Sequence, residues 1–274
     1  MKLFASIHIL MCLTFLDSGC STWIGNPDDD EPEKTSVTVQ PEGTTPALVQ
    51  TTLPVTDVSG VEVGTFLLTQ ANVIVREISI KRSVDEAPAA VFVGPYVMDL
   101  LANTITPEIT NQAIGSNTYD QIGIKLHQLK TGEVEGVEDD DDALEQSIFV
   151  KGTFTNNSGE TKELVMTFDL EEDLTIRNNG SGFDITRPQT RLIVAFRLAR
   201  WFRFDKWEEE DEKADFSVLT EATTTLNENS EGDLKTLRSA IRENIEASLN
   251  FGTDDDDDGA LGDEEDEDDE EDED

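Results

Sequence analysis

The chain has 274 residues, 60 of them acidic against 20 Lys and Arg, and hydrophobic residues make up 36%. A formal net charge of −40 argues against nucleic-acid binding, which needs clustered Lys and Arg facing the phosphates; it favours solubility, divalent cations and basic partners. The length suits one medium domain with tails. The apolar deficit sits mostly in acidic runs and a Thr/Pro-rich stretch, so residues 58–251 keep enough Val, Ile, Leu and Phe to bury a core.

The chain opens "MKLFASIHILMCLTFLDSGCSTW". Lys2 precedes an apolar run over residues 3–16, followed by small residues and a cysteine. This layout reads as a secretory signal over residues 1–19, too short and too weakly flanked for a stable membrane span. The segment "LDSGC" resembles the bacterial lipoprotein box, departing from it at Asp17, where an aliphatic residue is usual. The resemblance implies that Cys20 carries a lipid and becomes the mature N-terminus; ordinary signal cleavage is the alternative. The only cysteines are Cys12 and Cys20. Cys12 falls inside the signal, so the exported chain has no internal disulfide. Residues 20–57 are rich in Asp, Glu, Pro and Thr with no sustained period, which reads as an extended linker between a lipid anchor and the domain.

Strand signals follow. "VEVGTFLLT" (residues 61–69) and "NVIVREISIKR" (72–82) alternate apolar with polar. In the second, Val73, Val75, Ile78 and Ile80 share one face only if a bulge intervenes near Arg76 and Glu77. "AVFVGPYVMDLL" (90–101) contains Gly94-Pro95, which suits an edge or a break. "TYDQIGIKLHQLK" (118–130) supplies Tyr119, Ile122, Ile124, Leu126 and Leu129 to a core. "SIFVKGTFT" and "KELVMTFDL" flank "NNSGET", a hairpin loop. "TRLIVAFRLARWF" (190–202) puts Leu192, Val194, Phe196 and Leu198 on one face. The run "EGVEDDDDALEQ" (135–146) reads as an acidic loop. In "DLKTLRSAIRENIEASLNF", Leu234, Leu237, Ile241, Ile245 and Leu249 recur at helical steps, predicting an amphipathic helix from about Asp233 to a stop at Gly252. Short turns without a βαβ rhythm make the chain mainly β. The expected fold is an immunoglobulin/transthyretin-like β-sandwich over residues 58–207. An acidic connection and C-terminal helix (208–252) and a disordered acidic tail (253–274) complete it.

"YVMDLLANTITPEI", "SNTYDQIGIKLHQL", "SIFVKGTFTNNSGETKELVMTFDL" and "RLARWF" resemble the β-sandwich domains of uncharacterised bacterial envelope lipoproteins. There a strand ending in Asp-Leu-Leu precedes a Tyr-Asp-x-Ile strand, and Trp-Phe follows a late strand. The resemblance covers about residues 61–204. It implies an exported, membrane-tethered sandwich and is silent on chemistry.

The tail holds one motif. "DDDDDGALGDEE" matches D-x-[DN]-x-[DN]-G-x5-E through Asp254, Asp256, Asp258, Gly259 and Glu265. Such a loop offers Ca²⁺ hard oxygen donors at positions one, three and five, the backbone carbonyl at seven (Ala260) and a bidentate Glu265 at twelve. Acidic matches come cheaply here; Gly259 and the apolar Leu261 at position eight carry the information. No second hand or exiting helix is read. Two alternatives stay beside the Ca²⁺ loop: a solvated polyacidic tail, or a docking tail for a basic or envelope partner.

The one basic, aromatic-rich spot groups Arg197, Arg200, Arg203 and Lys206 with Trp201, Phe202, Phe204 and Trp207. It reads as a strand end whose aromatics seal the sandwich, with a membrane-interface or ligand patch as the alternative. His127 lies among strand residues. With no nucleophile elbow, metalloprotease pair, zinc spacing or phosphate loop, the chain is expected to be a non-catalytic envelope lipoprotein. The second expectation is a secreted carbohydrate-active or substrate-binding protein, favoured by a pocket of convergent carboxylates and aromatics.

Overall fold

The computed structural model describes residues 34–43, 48–85, 87–137, 141–171, 173–177, 182–185, 189–205, 215–254 and 261. The chain divides into two units, Met1–Pro32 and Glu33–Asp274, and every described residue lies in the second. In order its elements are β1 (Lys34–Glu42), β2 (Thr51–Thr56), β3 (Glu62–Lys81), β4 (Ala90–Asp99), β5 (Thr104–Thr106), β6 (Gln112–Gly115), β7 (Asn117–Tyr119) and β8 (Gln121–Leu126). There follow β9 (Ile148–Asn156), β10 (Thr161–Phe168), β11 (Asp173–Arg177), β12 (Phe183–Ile185), β13 (Gln189–Phe196), β14 (Thr223–Leu226), α1 (Asp233–Ala247) and β15 (Leu249–Thr253). Among the described residues the fold is mainly β with one α-helix, as the hydrophobic patterning predicts.

Strand β3 organises the larger sheet. Its first half pairs with β2 and β9, one on each edge, and its second half with β4 and β8. β10, β14, β11 and β5 extend the sheet outward. A second sheet has the order β15-β13-β1-β6. Val37, Val39, Leu192 and Val194 of this sheet share one buried cluster with Phe66, Leu68, Ile78 and Ile80 of the larger one, which makes the pair a sandwich. The β1–β13 and β10–β14 pairings are parallel, a departure from a wholly antiparallel sandwich.

A 20-residue strand keeps one face in the core only by correcting its register. Inward residues of β3 are Phe66 and Leu68, then Ala71, Val73 and Val75, then Ile78 and Ile80. The parity changes twice, and the pairing shifts at both places: between Leu68 and Gln70 against β9, and between Val75 and Glu77 against β4 and β8. Each extra residue turns the following side chains over. The bulge at Arg76 is the one the sequence predicts. The other falls between what read as two strands, which are one. Opposite Arg76, β4 skips Gly94-Pro95 in its pairing.

Two glycines let aromatic rings lie across the β3–β9 pair. A Cβ on Gly152 would come within 2.6 Å of the Phe66 ring, and one on Gly64 within 2.7 Å of the Phe154 ring. The outward face is covered too: Ile74 and Phe149 pack with Leu129, Val134 and Ala143 from the β8–β9 connection in a separate cluster.

Residues 20–57, expected as a linker, contain β1 and β2. Val37 and Val39 are buried because β1 inserts beside β13, whose residues lie about 150 positions away; no local composition reports such a partner. Pro54 is tolerated because, among the described residues, β3 is the one strand with which β2 pairs. The domain therefore begins ahead of residue 58. Helix α1 starts at Asp233 as expected, and Leu237, Ile241 and Ile245 bury its apolar stripe. It ends earlier: Ser248 is its C-cap and the chain turns directly into β15, so Leu249 and Gly252 are strand residues paired with Phe196 and Ile193.

The end of β13 is tied to this helix. Trp201, Phe202 and Phe204 are fully buried. Trp201 Nε1 donates to Ser248 Oγ at 2.8 Å, while Asn244 Nδ2 donates to the carbonyls of Trp201 and Arg203 at 3.2 and 2.7 Å. Asn244→Ala would leave both carbonyls without that donor. The expected loss is about 2–3 kcal/mol by urea unfolding, while Arg203→Ala stays within about 0.5 kcal/mol.

Candidate functional site

The root of the acidic segment is built into the small sheet. Strand β13 is buried on both faces: Leu192, Val194 and Phe196 enter the main core, while Ile193 and Ala195 face the other way. Those two are covered by Leu261, itself 4% exposed. The Leu261 N–H donates to Glu42 Oε2 at 2.7 Å, and Glu42 is buried beside Ala195 in the β1–β13 register. At the other end, the Asp254 N–H donates to the Arg191 carbonyl at 3.0 Å. The Asp254 carboxylate is fully buried and accepts from Arg191 Nη1. Asp254 and Leu261 are thus both held on the small sheet.

Of the predicted metal ligands, Asp254 is held by Arg191. Asp256, Asp258, Ala260 and Glu265 lie outside the described residues, as does the predicted lipidation site, Cys20. Ca²⁺ at Asp254 would compete with the Arg191 guanidinium for the carboxylate. Among the described residues no three His, Cys, Asp or Glu side chains stand close enough to share a metal ion.

The aromatic strand end is structural for Trp201, Phe202 and Phe204, which face the core; Arg200 and Arg203 face solvent. Lys206 and Trp207 lie outside the described residues. His127 is also structural: its Nε2 meets Glu133 Oε2 at 2.9 Å at the start of the β8–β9 connection. Burial pushes the Glu133 carboxyl up, but the Lys130 N–H at 2.9 Å, the His127 hydrogen bond and the nearby positive charges outweigh it and hold it below the usual carboxylate range.

Sequence reasoning missed a cavity of about 400 Å³ at one end of the larger sheet. It is lined by Asp57 from the β2–β3 turn, Glu160 and Lys162 from the β9–β10 hairpin, and Asp215 beside Phe216 in the short 3-10 turn Phe216–Val218, with Phe154 of β9. Of the segments that line it, "NNSGET" reads as a hairpin loop, but nothing in it reports the other two. A second cavity of about 320 Å³ lies between Glu42, Leu48, Leu53 and Arg197. Compared with known proteins, the chain matches no family model, no curated protein and no solved structure.

The Glu133 contacts carry a pH dependence. A carboxylate depressed by folding stabilises the native state above its unfolded pKa, and that stability is lost as pH falls through its folded value. The protection of the Lys130 amide, whose N–H Glu133 accepts, measured relative to its intrinsic exchange rate at each pH, should therefore fall on acidification from neutral to about pH 3. In Glu133→Gln this acid response should flatten.

Proposed function

We propose that the chain is a membrane-tethered bacterial envelope lipoprotein, anchored by lipid at Cys20 in an outer membrane and facing the periplasm or cell surface. Its immunoglobulin/transthyretin-like sandwich is a non-catalytic binding or structural module, and its C-terminal acidic segment is a weak Ca²⁺ loop. The likeness of residues 61–204 to envelope lipoprotein domains and the signal layout support the address. The observation that carries the Ca²⁺ reading is the fixing of Asp254 and Leu261 on one sheet. Positions one and eight of the candidate loop are held in place, so the aspartates between them belong to a closed loop and not to a free end. That lowers the entropy lost when they converge on a cation. Asp254 exchanges Arg191 for the metal, joined by Asp256, Asp258, the Ala260 carbonyl and Glu265. This exchange and the lack of a paired hand keep binding weak, with a Kd of about 10⁻⁴–10⁻³ M.

Two measurements test the two halves separately. Expressed in a bacterium, the chain should partition with membranes and carry the mass of a lipid; Cys20→Ser should release it. Wild-type chain recovered soluble and unmodified would contradict the anchor. In calorimetry at physiological salt with excess Mg²⁺, Ca²⁺ should show one saturable site lost in Asp258→Asn and Glu265→Gln. Unsaturable, salt-suppressed heat insensitive to both substitutions would contradict the Ca²⁺ loop.

A further inference from the structure

We draw no further inference here: the strongest candidate, the β8–β9 connection held over the outward face of the larger sheet beside the His127–Glu133 contact, rests on the acid response of Glu133 already derived, and among the described residues nothing shows what else would cover that face.

Discussion

The larger sheet depends on one constraint: strand β3 must serve four partners across 20 residues while keeping a single face dry. An unbroken two-residue alternation from Phe66 and Leu68 would send Ala71, Val73 and Val75 to the wrong side. Two single-residue register shifts solve this. They also let β2 and β4 occupy successive halves of one edge of β3, with β9 and β8 succeeding each other along the other. Between the shifts Ile74 is turned outward, and the β8–β9 connection folds back to cover it.

Patterning was most readable where the partner lies next in sequence. The β9–β10 hairpin, the bulge at Arg76 and the start of α1 are all local: Asn156 accepts from Ser158 and Glu160 within its own turn, and α1 repeats its apolar positions every three or four residues. What escaped detection is non-local. "TSVTVQ" has strand alternation for only a few residues, and its membership in the sheet depends on β13. Leu249 fits the helical stripe numerically, yet pairing with Phe196 captures it into β15. Charged residues were the least readable. Asp254 looks like one aspartate among five, but its neighbour in space is Arg191.

That pairing changes the meaning of the chain's charge. A solvated run of aspartates repels itself and contributes no packing. Here the first of the run is buried on a guanidinium, and the apolar residue seven positions on seals the outer face of β13. A buried carboxylate is costly unless paired and hydrogen-bonded; Arg191 supplies the partner, and parallel pairing of β1 with β13 brings Glu42 to the Leu261 amide.

The claim on which this picture turns is that the acidic segment is stitched to the sheet at both ends of residues 254–261. Residue-resolved amide hydrogen exchange on the full chain at neutral pH tests it directly. The Leu261 amide, bonded to Glu42, and the Asp254 amide, bonded to the Arg191 carbonyl, should exchange at least about tenfold more slowly than in an unstructured peptide. Exchange of Leu261 at the unstructured rate would contradict it, leaving the aspartates as a free tail.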